Sequence, residues 1–309
     1  MAFEPPQRLL RALGETRRSG PEGADEADEW LESLPELARR AVALRELTVE
    51  RVQAPGGRSS LVVLVRRADG APAVLKLAPE RARPGSERAA LAHWDGLGAV
   101  RLLDDGSGTD GVLLLERLHP DVSVRSLPEA KALLEAAGTL RRLWVEPPAD
   151  PVFETVAERT GRQAEAMRAT AAGEAGAGVR DLVDAALAAR DELLAAPPEA
   201  RLLHGTFRQS KVLAAERAPW LAVGPDPVVG ECAFDLARLV RDRVEDLIAS
   251  PSGPSITRRR IKRLAESLDV DQERLRGWTL FRAVESGVRA GRVGRPQDAE
   301  LLLEFAGWL

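Results

Sequence analysis

The run His204-Gly205-Thr206-Phe207-Arg208-Gln209-Ser210-Lys211 places two hydroxyls and two cations on a short loop. At neutral pH a threonine hydroxyl does not accept a proton, and neither arginine nor lysine has a lone pair to give a hard cation. Arg208 and Lys211 can hold phosphate or another anion through charge-assisted hydrogen bonds, or they can stand solvated on the loop. Lys76 lies near the end of the apolar run Pro72-Ala73-Val74-Leu75-Lys76-Leu77, where a lone lysine reads as a solvated strand edge. Arg258-Arg259-Arg260-Ile261-Lys262-Arg263 has five basic residues in six positions and could touch nucleic acid or an acidic partner. With Ile256, Ile261, Leu264 and Leu268 turned inward, it reads instead as the solvated face of a helix, and nucleic acid is not an expected partner. The single cysteine, Cys232, excludes an internal disulfide and a multi-cysteine zinc site. His93 and His119 have no partner at ligand spacing.

The bulk numbers are those of an ordinary globular chain. Hydrophobic residues make up 44% and charged residues 30% of 309, with a net charge of −4. That balance gives no global pull toward nucleic acid or an anionic membrane. Met1–Leu13 contains Glu4, Pro5 and Pro6 and no long apolar run, so it does not read as a secretory signal. No stretch reaches the roughly eighteen apolar residues that a membrane span needs. The expected address is the cytoplasm.

The elements that must position these residues follow from periodicity. Residues 1–29 are rich in Glu, Arg, Gly and Pro, with Gly20-Pro21-Glu22-Gly23 as a breaker, and read as a mobile extension with a short helix near Pro6–Leu13. Trp30, Leu34, Leu37, Ala41 and Leu44 recur at helical spacing. Leu47–Val52, Leu61–Arg67 and Ala73–Leu77 are strand-like, the last two joined by the hairpin signal Ala68-Asp69-Gly70-Ala71. A helix over Ser86–Trp94, with Ser86 as N-cap, precedes strands at Val100–Leu103 and Val112–Leu118 around a Gly-rich turn at Asp105–Gly111. Beyond Ser126 the chain reads as mostly helical: Pro128–Leu143, Phe153–Ala171, Val179–Leu194 and most of Phe234–Leu309. Strands first and helices after predict an α+β fold.

The stretch Arg201–Leu236 carries a resemblance. Leu202-Leu203-His204-Gly205, Val212-Leu213, Pro219-Trp220-Leu221-Ala222-Val223, Pro225, Pro227, Gly230 and Ala233-Phe234-Asp235-Leu236 resemble the catalytic segment of the aminoglycoside and hydroxyurea antibiotic kinases. Arg66–Leu77, Gly98–Leu103, Leu113–Arg117 and Asp271–Trp278 are similar to other parts of that family in the same order. The resemblance spans roughly residues 35–309. It implies a two-lobed, protein-kinase-like fold: an extension over 1–29, an N-lobe of about five antiparallel strands and a helix over 30–118, and a helical C-lobe over 119–309. It also implies ATP between the lobes, with adenine near Glu116–His119 and Lys76 holding phosphates while paired to Glu87.

Against that pattern the chain departs at the positions that do the chemistry. Thr206 stands where the family has its catalytic aspartate, and Arg208 where it has a loop histidine. Lys211 and Gly224 stand where it has its metal-binding asparagine and aspartate. The resemblance therefore implies a degenerate site, with ATP admitted but not required and magnesium not expected. Arg208, Lys211 and Lys76 could hold an anion in place of the metal. Asp226, two positions past Gly224, is the one nearby acid that could substitute and keep an active, rearranged phosphotransferase. Arg282, Arg289, Arg292 and Arg295 against Glu285 have the wrong sign for a polycationic aminoglycoside. The expected partner is a small-molecule or anionic ligand, or another protein.

Overall fold

The computed structural model describes residues 3–17, 21–103, 111–150 and 153–309. In chain order the first elements are α1 (Gln7–Arg17), α2 (Pro21–Leu44), β1 (Thr48–Val52), β2 (Leu61–Arg66), β3 (Pro72–Leu77), α3 (Pro84–Trp94), β4 (Val112–Glu116) and β5 (His119–Ser123). Then come α4 (Glu129–Leu143), α5 (Val156–Ala172), α6 (Arg180–Ala195), β6 (Arg201–Leu203), β7 (Val212–Ala214), β8 (Trp220–Ala222) and β9 (Val228–Gly230). The chain closes with α7 (Cys232–Val240), α8 (Val244–Ile248), α9 (Gly253–Leu268), α10 (Gln272–Arg292) and α11 (Pro296–Ala306). Two compact units result, one of residues 1–123 with 213–226, the other of 124–212 with 227–309. The boundary expected after residue 118 thus falls after 123, and the first unit takes back a later segment. The expected turn at Asp105–Gly111 lies, except for Gly111, outside the described residues, as does Gly20 of the breaker cluster.

In the first unit β1, β2, β3 and β4 form an antiparallel sheet in that order. The β2–β3 hairpin turns where Asp-Gly predicted it, with Gly70 at φ +82°. Alternation sends Leu61, Val63, Val65, Ala73, Leu75 and Leu77 into one core, and Lys76 to the other face beside Val62 and Leu113. The strand expected at Val100–Leu103 is reduced to a bridge of Leu102 with Leu115, beside a second bridge of Ala99 with Ala222. Helix α3 starts earlier than predicted. Pro84 is preset for the first helical position, so Arg83 is the N-cap and Ser86 lies inside.

Residues 1–29 are a correction. Phe3, Leu9, Leu13 and Ala27 are buried in the same core as the sheet, together with Trp30, Leu34, Ala38 and Ala41 of α2. Leu9 and Leu13 are one turn apart, which gives α1 an apolar stripe despite its charged composition.

The second unit is built around α10, whose Leu275, Trp278, Phe281 and Val284 are buried. Phe234, Trp278 and Phe281 stack edge to face, with centroids 5.2 and 5.9 Å apart. The basic run lies on α9, with Arg258, Arg259, Lys262 and Arg263 exposed. Arg260 breaks the expected pattern. It is buried, donates to the carbonyls of Val240 and Asp242 at 2.7 Å each, and pairs with Glu129.

Candidate functional site

In the first unit Lys76 is no solvated edge. Its ammonium donates to Glu87 Oε2, and both side chains are buried, at 11% and 3% exposure. Sheet register and the early start of α3 bring them together: β3 turns Lys76 away from the main core, and Glu87 lies in the first turn of α3. The other carboxylate oxygen, Oε1 of Glu87, is buried without a hydrogen bond. Glu116, at the end of β4, is also committed: its carboxylate accepts Arg217 Nε at 2.9 and 3.1 Å and the Arg101 amide at 3.0 Å. Arg217 reaches on to the carbonyls of Gly96 at 2.7 Å and Ala99 at 2.5 Å.

The positions around Gly224 lie in the same unit. Gly224 sits at φ +62°, a conformation most side chains resist. Asp226 is held by an ion pair to Arg83, the left-handed N-cap of α3.

In the second unit the loop after β6 is anchored from below. Asp235, fully buried in the first turn of α7, accepts the amides of His204 at 2.8 Å and Gly205 at 3.0 Å. It acts as a buried acceptor within α7, whose N-cap is Glu231. Burial pushes the Asp235 carboxyl up, while Arg282 and the two amides pull it down. Arg282 donates to the carbonyls of Phe234 at 2.7 Å and Gly205 at 2.6 Å, and lies 4.1 Å above the Phe234 ring. It is therefore part of the scaffold that holds this loop. Farther along, Asp242 accepts the Gln209 amide at 2.6 Å, and Arg243 braces Gln209 Oε1 at 3.1 Å. On the loop so held, Lys211 Nζ donates to Thr206 Oγ1 at 2.6 Å. The lysine ammonium lies directly against the threonine hydroxyl.

A sheet carrying a buried Lys–Glu pair, followed by a helical unit with a His-Gly loop held by an aspartate, can be compared with known proteins. The sequence model of the aminoglycoside/hydroxyurea antibiotic resistance kinases matches residues 45–294. The chain belongs to that family. A streptomycin 6-kinase of Streptomyces griseus is 36% identical over 265 residues, 85% of each chain. A hydroxyurea phosphotransferase of Kitasatospora aureofaciens is 36% identical over 301 residues, covering 90% of this chain and 82% of that one. Among solved structures, aminoglycoside phosphotransferase APH(4)-Ia superposes with a TM-score of 0.61 at 16% identity, over 88% of this chain and 96% of that one. That likeness shows the kinase-like fold, in agreement with the α+β expectation. No described helix is long and apolar enough to cross a membrane.

Within the family fold, the contacts that sequence reasoning missed include three long-range arginine contacts: Arg83 to Asp226, Arg217 to Glu116, and Arg282 to Gly205. Only Arg282 left a signal, because it follows Trp278 by one helical turn on a face that is otherwise apolar. Cys232 is half-buried beside Asp235. Burial, with Asp235 adding to it, pushes its thiol up to about 12. Native protein at pH 8 is thus expected to react with iodoacetamide at least about a hundredfold more slowly than free cysteine. A free-cysteine rate in folded protein, followed by mass spectrometry, would contradict that microenvironment.

Proposed function

We propose that this family member binds a phosphate-bearing or other anionic ligand without a metal ion and does not carry phosphate to an acceptor hydroxyl. The observation that carries this reading is Lys211 donating to Thr206 at 2.6 Å, at the loop positions matched to the family's metal-binding asparagine and catalytic aspartate. A threonine hydroxyl is too weakly basic to take a substrate proton at neutral pH, the ammonium against it disfavours protonation further, and loss of a general base costs about 10²–10⁴ in rate. The residues present do not fit magnesium. Lys211 is a cation, Gly224 has no side chain, and the substitute acid Asp226 is engaged by Arg83. Lys76, paired with Glu87, fits a nucleotide phosphate, which supports ATP as one ligand.

A second reading is an ATP-dependent small-molecule phosphotransferase with a rearranged site. The intact Lys76–Glu87 pair and the 34–36% identity to proteins named streptomycin 6-kinase and hydroxyurea phosphotransferase favour it. Asp226 would then have to leave Arg83.

Calorimetric titration with ATP in magnesium and in EDTA separates the two. The expected result is equal affinity in both, reduced at least about tenfold in Lys76→Ala. Affinity that rises steeply with magnesium would overturn the first reading. So would magnesium-dependent product from streptomycin or hydroxyurea that disappears in Asp226→Asn. Absence of any ATP binding would move the reading to a protein partner.

A further inference from the structure

The second unit contains a guanidinium that its own structure leaves unmatched. Arg238, on α7, is partly buried, and its Nε is closed off from solvent without a hydrogen-bond partner. Among the described residues no hydrogen bond and no ion pair reaches this side chain. The charges that act on it are Arg289, Glu285, Asp242 and Asp235, and burial and then Arg289 push its pKa down. The three acids are engaged elsewhere. Asp235 holds the His204 and Gly205 amides, and Asp242 holds the Gln209 amide. Glu285 takes Arg289 Nε at 2.9 Å and the Ser286 hydroxyl at 3.0 Å.

The surroundings add to the imbalance. Arg208 and Arg241 also act on Asp242, and Arg238 in turn pushes Arg241 and Arg282 down. Arg241 donates to the Arg282 carbonyl at 3.1 Å and the Ser286 hydroxyl at 2.9 Å, and Arg282 to the carbonyls of Phe234 and Gly205, so neither neighbouring guanidinium is hydrogen-bonded to a carboxylate. A guanidinium Nε closed off from water and left unpaired costs stability, and an apolar side chain of similar length would serve packing better at that depth. A residue that weakens the fold it sits in is explained by something it binds.

We propose that Arg238 is the anchor of an anion-binding site in the helical unit, taking the phosphate or carboxylate group of a small molecule. Its planar fork suits two oxygens of one oxyanion, and the surplus positive charge of its neighbours favours that ligand. A polycation would meet repulsion at the same place. The site goes beyond the metal-free reading above and does not depend on Lys76.

The test uses the full chain at constant ionic strength, with inorganic phosphate and acetate as probes. Affinity is read by calorimetry, and stability by thermal melting without ligand. One of the two anions is expected to bind wild type and to lose at least about tenfold in affinity in both Arg238→Met and Arg238→Gln. Unliganded Arg238→Met is expected to melt at or above the wild-type temperature, which a structural arginine would not allow. Lys76→Ala is expected to keep the binding. Three results would overturn the site: a melting temperature several degrees lower in both Arg238 variants, binding unchanged in them, or no binding of either anion to wild type. Binding lost in Lys76→Ala and retained in Arg238→Met would also overturn it, by assigning the anion to the first unit while leaving the proposed nucleotide reading intact.

Discussion

Asp235→Ala is expected to destabilise the protein by about 3–5 kcal/mol, the range for stripping one partner from a buried charged network. The carboxylate has no exposure and receives two backbone amides, from His204 and Gly205. Alanine leaves both donors buried without an acceptor and removes the charge that offsets Arg282. Gly205 is at φ +76°, so the loop cannot easily turn these amides toward another acceptor. Asp235→Asn keeps an acceptor and loses only the charge, so it should fall between. Denaturant unfolding at neutral pH measures both. A loss under about 1 kcal/mol in Asp235→Ala, no more than an ordinary hydrogen bond, would mean the loop is held by something other than this aspartate.

The second large effect is a gain. Thr206→Asp with Lys211→Asn is expected to create magnesium-dependent ATP affinity, with an increase of about tenfold or more on adding the ion. The 2.6 Å contact between the present side chains shows that these positions lie within reach of one another. The exchange removes an ammonium that repels the ion and supplies a carboxylate and an amide oxygen, which suit a hard cation. Gly224→Asp is left out because an aspartate at φ +62° adds strain of about 1–2 kcal/mol. If the double variant unfolds as cooperatively as wild type and magnesium changes nothing, the match of this loop to the family's catalytic segment fails.

The sheet was legible in the sequence because strands β1 to β3 stand out as short β-branched or apolar runs between turn residues, and the β2–β3 turn is marked by Asp-Gly. The pairing of Lys76 with Glu87 was legible only through the family resemblance, since a lone lysine on a strand has no periodic signature. Long arginine side chains account for most of what stayed hidden. Arg260 and Arg282 look solvent-facing by composition, yet each ends on backbone carbonyls far away in sequence. Such contacts depend on where another helix ends, which no local pattern encodes. Asp226 shows the same limit. Its spacing after Gly224 suggested a spare metal ligand, and only the left-handed turn at Arg83 reveals that a cation already holds it.

The burial of Phe3, Leu9 and Leu13 bears on how this protein can be handled. A shortened version beginning at Trp30, the trimming that its charged and Pro-rich first residues invite, would strip α1 and the start of α2 from a core shared with the sheet. Leu34 and the sheet face carrying Val63 and Leu75 would then lose their cover, leaving a wet apolar patch of the kind that drives self-association. Fusion partners and affinity tags should therefore be joined ahead of residue 1 through a spacer, and poor solubility of a trimmed chain would reflect a missing piece of its core.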